Sequence, residues 1–212
     1  MARLFIHAGL HKTGSTSLQH LLEANRDSLP PDVRFVSRHS PAFQRLTAVC
    51  RAYDPKARER SAAQVSDAMS SLLDGLAPGP ADRLLLSAED FAGAMPSTRQ
   101  ARPLYDTAPA IAAALLGGAA GHEVSFVYYA RARLAWLESW HKHQILWRAN
   151  PLPWKDLMQR PQVAAFDPVS VVEAVCHAVP APVISLMLED DLAVPGPGAG
   201  FLRAAGLDAA QI

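Results

Sequence analysis

The stretch that most constrains this chain is its first twenty residues, which run from Arg3 as Arg-Leu-Phe-Ile-His-Ala-Gly-Leu-His-Lys-Thr-Gly-Ser-Thr-Ser-Leu-Gln to His20. Leu4 to Ala8 is a short apolar run with the length of a buried strand. Gly9 to Gly14 reads as a tight loop. From Ser15, Leu18, Leu21 and Leu22 fall on one face of a helix. A strand, a glycine-bounded loop and a helix start together make an anion site. The loop amides and the unclaimed donors of the first helical turn converge on one point there.

The spacing Gly9-x-x-x-x-Gly14, then Ser15-Thr16, is close to the nucleotide-binding loop G-x-x-x-x-G-K-[ST]. The lysine is displaced. It lies inside the loop at Lys12, and Ser15 takes the position where a P-loop NTPase has its lysine. A plain helix-capping glycine loop is the bland alternative.

Composition makes any such anion site a local one. Among 212 residues there are 20 Lys plus Arg and 20 Asp plus Glu, so no global field recruits nucleic acid or an anionic membrane. The length fits one domain over residues 1–212. Cys50 and Cys176 are far apart and suggest two reduced thiols in a cytoplasmic protein. One basic residue, Arg3, precedes an apolar run too short for a signal-peptide core. No stretch nears the ~20 apolar residues of a membrane span. His141 and His143 stand two apart and do not share a helical face, so no metal pair is expected.

The rest of the chain alternates strands and helices. Strands are predicted at Val33 to Ser37, Arg83 to Ser87, Val124 to Tyr129 and Pro182 to Met187. Helices are predicted from Ser15 to about Arg26, at Pro41 to Arg51, Ser61 to Leu76, Thr107 to Leu116, Leu134 to Trp147, Val169 to Ala178 and Ala199 to Ala205. Pro30-Pro31, Pro78-Gly79-Pro80, Gly117-Gly118 and Asn150-Pro151 punctuate them. Residues 38–40 and 52–60 read as a solvated connector and 92–103 as a loop. The pattern predicts a three-layer α/β fold, a mainly parallel sheet flanked by helices. Ligands bind such sheets at the carboxyl ends of the strands, which puts Lys12, Glu89 and Arg131 on one rim.

After the Val124 strand, Arg131 is followed eight residues later by Ser139. A guanidinium can fork onto a phosphate, and a hydroxyl can add a further donor. With Lys12-Thr13-Gly14-Ser15-Thr16, this chain resembles the bacterial sulfotransferases that use 3′-phosphoadenosine-5′-phosphosulfate (PAPS). The matching patterns are K-[ST]-G-[ST]-[ST] for the 5′-phosphosulfate and R-x7-S for the 3′-phosphate. The likeness covers both motifs and the order of elements to about residue 150, and is vaguer to residue 208.

The resemblance implies a donor site made of Lys12, Thr13, Gly14, Ser15, Thr16, Ser17, Arg131 and Ser139. The donor would be PAPS and the product adenosine-3′,5′-bisphosphate (PAP), with a small-molecule or glycan acceptor and no metal. Lys12 would stabilise the leaving phosphate. Glu89, which follows a strand as the base does in glycan-type members, would take the acceptor proton. Asp90 is its neighbouring substitute and His11 the rival base. His7 reads as a satisfied core residue. Two departures stand out. Ser17 occupies the position where cytosolic members stack a tryptophan on adenine, and no late basic-glycine segment is evident before Ile212. The rival readings are a phosphotransferase using Mg-nucleotide and a non-catalytic nucleotide-binding protein.

Overall fold

The computed structural model describes residues 1–147, 152–193 and 198–208, the side chains of Trp147 and Ala193 excepted. Five parallel strands form the sheet: β1 (Arg3–His7), β2 (Val33–Phe35), β3 (Arg83–Ser87), β4 (Glu123–Ala130) and β5 (Val183–Met187), in the order β2-β3-β1-β4-β5. The helices are α1 (Ser15–Ala24), α2 (Pro41–Arg51), α3 (Arg58–Leu76), α4 (Ala108–Gly118), α5 (Arg133–Trp147), α6 (Trp154–Met158), α7 (Pro161–Ala164), α8 (Pro168–Ala178), α9 (Leu188–Ala193) and α10 (Ala199–Ala204). This is the expected three-layer α/β fold.

Strand pleating explains the layers. Successive side chains alternate between the two faces of the sheet. Leu4, Ile6, Leu84, Leu86, Val124, Phe126 and Tyr128 pack with residues of α2, α3, α4, α5 and α8. Phe5, Leu85, Val127 and Tyr129 pack on the other face with Leu18 and Leu22 of α1 and Phe201 and Leu202 of α10. The helix after β1 therefore lies on one face and the helix after β3 on the other. Between their adjacent carboxyl ends is the crevice where open α/β sheets take ligands.

Caps and breakers set most boundaries. Ser40 caps α2 through the Phe43 amide, and Asp167 caps α8 through the Val169 and Ser170 amides. Each such cap stabilises by about 1 kcal/mol. The second strand ends at Phe35, short of the expected Ser37, and three larger departures follow. The connector at 52–60 is partly ordered, because Asp54 caps a 3-10 turn at Pro55–Ala57 and α3 already starts at Arg58. The first helix ends at Ala24, with the separate 3-10 turn Arg26–Ser28 after it. Gly117 and Gly118 lie within α4 instead of after it. The expected stop at Asn150-Pro151 falls outside the described residues.

Candidate functional site: the loop between the first strand and helix

The loop from Ala8 to Gly14 is bent by two left-handed residues, Lys12 at φ 72° and Gly14 at φ 83°. The strain at a non-glycine residue is of order 1–3 kcal/mol and is characteristic of binding sites. Two contacts hold the bend. Arg131 Nη1 donates to the Lys12 carbonyl at 3.2 Å, and Trp136 Nε1 donates to the His11 carbonyl at 2.6 Å. Thr13 Oγ1 donates back to the Leu10 carbonyl. Gly9 is required for space. A Cβ there would meet Ser15 Oγ at 2.8 Å and both His7 Nε2 and Thr13 Oγ1 at 2.9 Å.

The loop leaves an unusual set of donors unclaimed. Among the described residues, the backbone N–H groups of Lys12, Thr13, Gly14, Ser15 and Thr16 have no acceptor. The last two are the orphan donors of a helix start. Ser15 Oγ and His7 Nε2 are also buried without a partner. Leaving a buried polar group unpaired costs about 1–3 kcal/mol. His7 is thus only half satisfied, contrary to its reading from sequence: Nδ1 meets Ser87 Oγ at 2.7 Å, while Nε2 faces the loop. Its burial lowers its pKa to about 3, so the ring is neutral. Ser17 departs from the expected grip, since its amide donates to the Gly14 carbonyl at 2.9 Å. Only its exposed hydroxyl remains free for a ligand.

Lys12 is half-buried and has no carboxylate partner among the described residues. Glu89 opens a 3-10 turn, Glu89–Ala92, directly after β3. Ala88 is the capping residue of that turn and no side chain caps it. Glu89 Oε2 instead accepts from Gln19 Nε2 at 3.5 Å, and the same amide donates to the Ser87 carbonyl at 3.1 Å. Gln19, buried on α1, was not singled out from sequence because its partners are 68 and 70 residues away. Asp90 is committed elsewhere, in a two-bond pair with Arg51 at 2.9 and 2.6 Å.

Arg131 joins the loop as expected, and its buried Nε has no hydrogen bond; the nearest acid, Glu189, lies at 3.8 Å. Arg133 is used structurally, donating to the carbonyls of Phe166, Val163 and Ala164. Ser139 is half-buried on α5, and among the described residues no hydrogen bond joins it to Arg131 or the loop. His11 is buried, and burial brings its pKa down to about 4, opposed in part by Asp90. Its partner is Tyr105, a residue that sequence reasoning passed over.

Trp136 and Trp140 are fully buried core residues stacked at 5.3 Å. Cavity size does not mark the loop. A cavity of ≈ 540 Å³ lies along β5 and α10, and one of ≈ 270 Å³ lies behind Tyr105; neither is lined by Lys12 or Glu89. Unclaimed donors mark it instead, since they are the chemically specific feature. Among the described residues no helix is long and apolar enough to cross a membrane, and Cys50 and Cys176 are free thiols. No protein-family model matches the chain, and a search of the curated proteins finds no match.

Proposed function

We propose that the protein is a sulfotransferase that moves a sulfuryl group from PAPS to a hydroxyl or amine of a small-molecule or glycan acceptor. One observation carries this reading: five successive loop amides and two buried polar side-chain atoms lack partners around a loop that contains Lys12. A bound phosphosulfate would satisfy such donors. The lysine lies before Gly14, and the buried Ser15 stands where a P-loop NTPase places its lysine, which favours PAPS over Mg-nucleotide. On the 3′ side, the Nε of Arg131, which makes no hydrogen bond and has only the 3.8 Å ion pair with Glu189, fits a phosphate, with Ser139 further along α5. A cytoplasmic setting belongs to the same reading.

PAPS supplies an activated sulfuryl group, and the chain supplies charge and a base. Lys12 offers a cation where the leaving phosphate oxygen gains charge, which is the largest single term in many transfers. The amides of Thr13 to Thr16 share that load. Glu89 takes the acceptor's proton as its oxygen or nitrogen bonds to sulfur. Gln19 ties Glu89 to α1, so the base and the anion loop are held by one helix.

The test pairs binding with turnover. PAP should raise the melting temperature without metal, and Mg-ATP should do so far less. Glu89→Gln should remove most turnover over an acceptor panel while leaving PAP affinity nearly unchanged. A larger shift with Mg-ATP that is abolished by chelator would replace this reading with a phosphotransferase. Full activity in Glu89→Gln would take the base role away from Glu89.

A further inference from the structure

Tyr105 and His11 form a contact whose proton positions can be deduced by counting donors. The phenol oxygen lies 3.0 Å from the His11 backbone nitrogen and 3.1 Å from His11 Nδ1. The backbone N–H can only donate, so it fills one acceptor site of the phenol. If Nδ1 also carried a proton, the phenol would accept twice and its own buried proton would have no acceptor. Buried donors are almost always paired. The arrangement that pairs every atom of this contact has Tyr105 O–H donating to a bare Nδ1. The proton of the neutral imidazole then resides on Nε2, which makes no hydrogen bond among the described residues and is not among the buried unpaired atoms, so it is open to a ligand.

The surroundings enforce this choice. Tyr105 is buried and its phenol pKa lies well above normal, so it keeps its proton. Its ring stacks on the His11 ring at 5.9 Å and meets Trp136 and Phe166 at 6.0 and 6.2 Å. Tyr105 sits at φ 59° and Lys12 at φ 72°, so two non-glycine residues in the left-handed region flank His11 in space. The titratable and charged groups around the imidazole are Asp90, Arg51, His143 and Lys12.

We propose that Tyr105 is a positioning residue that fixes His11 as a neutral hydrogen-bond donor, its Nε2–H offered to the anionic group gripped beside Lys12. His11 then stabilises charge on the transferring group and is not the base, a division of labour that leaves proton removal to Glu89. The donor role rests on the sulfotransferase reading; the tautomer does not.

Long-range ¹⁵N–¹H spectra of the imidazoles, with His11→Gln to assign the signals, test both. In the wild-type protein at neutral pH, His11 should show a protonated Nε2 and a bare Nδ1. A protonated Nδ1 would overturn the proposal even if no variant folds. Tyr105→Phe keeps the ring and removes the O–H, so His11 should become a tautomer mixture and titrate roughly one pH unit or more higher. An unchanged tautomer and titration would also overturn it. Adding PAPS without acceptor should move the Nε2–H resonance together with the amides of Thr13 to Thr16. If the amides move and Nε2–H does not, the donor role fails while the sulfotransferase reading survives. If neither moves, the sulfotransferase reading fails and takes the donor role with it.

Discussion

Two helix starts lie side by side in this protein and resolve the same problem differently. At α10 the glycine cap is Gly198 at φ 103°, and at α1 it is Gly14 at φ 83°. The α10 terminus is closed by the chain itself. Asp191 accepts from the Gly198 and Gly200 amides at 2.7 and 2.6 Å and from the Tyr129 hydroxyl at 2.6 Å. The α1 terminus has comparable donors and, among the described residues, no carboxylate accepting from them. The two are neighbours: a Cβ on Gly198 would meet Leu18 of α1 at 2.7 Å, and Tyr129 presents its ring to His7 at 5.3 Å. Where the chain needs an anion for stability it supplies one from nearby sequence. At the open terminus of α1 the proposed phosphosulfate would supply that anion from outside.

The largest effect should come from emptying the closed terminus. Asp191→Ala leaves three donors without an acceptor, and at about 1–3 kcal/mol for each buried donor left unsatisfied the loss is ~4 kcal/mol. That corresponds to a melting temperature lower by roughly 10 °C in a chain of this size. A calorimetric scan checks it, and a shift no larger than that of Lys12→Ala would erase the contrast between the two termini.

Lys12→Ala should do the reverse, leaving melting nearly unchanged and lowering turnover by roughly 10²–10³, the scale for one preorganised charge stabiliser. Steady-state rates with PAPS decide this. A variant of near-normal rate would remove Lys12 from the chemistry.

Acid should weaken the fold through the histidines of the open terminus. His7 and His11 have folded pKa values near 3 and 4 against 6.5 for an unperturbed imidazole. Their contribution is present above pH 6.5, where folded and unfolded chains are both neutral. As pH falls from 6.5 towards 4, the unfolded chain binds protons that the folded one refuses. Each histidine then costs up to about 1.4 kcal/mol per pH unit. Denaturant unfolding at pH 6.5 and 5.5 should differ accordingly, and a flat response would contradict the burial of these rings.

The smallest effect is the sharpest discriminator. Ser15 Oγ has no partner, so Ser15→Ala should cost the free protein little stability. It should weaken PAP by about 1 kcal/mol, the value of one hydrogen bond. Isothermal titration beside a melting curve separates the two. A loss of stability with unchanged affinity would show that the hydroxyl serves the fold.

Much of this contrast was legible in the sequence and some of it was not. Gly9, Lys12 and Gly14 announce the α1 loop because strand, bend and helix start are contiguous. Apolar periods and Pro or Gly stops likewise locate every strand and most helices. The short helices α6, α7 and α9 were missed, being too brief to show a period or, for α9, continuing directly from β5. The tertiary partners were hidden for a different reason. Tyr105 reaches His11 across 94 residues and Tyr129 reaches Asp191 across 62. Such pairs exist only once the sheet has brought its strand ends together. His7 shows the same limit, since the burial of its ring could be read from the strand and the missing partner of Nε2 could not.

The most direct test of an α1 terminus held open for phosphosulfate is a crystal structure of the complex with PAP. The account predicts its 5′-phosphate within hydrogen-bond distance of the amides of Thr13 to Thr16 and of Ser15 Oγ, with Lys12 beside it. A nucleotide bound elsewhere, with the donors around Gly14 still unfilled, would contradict it.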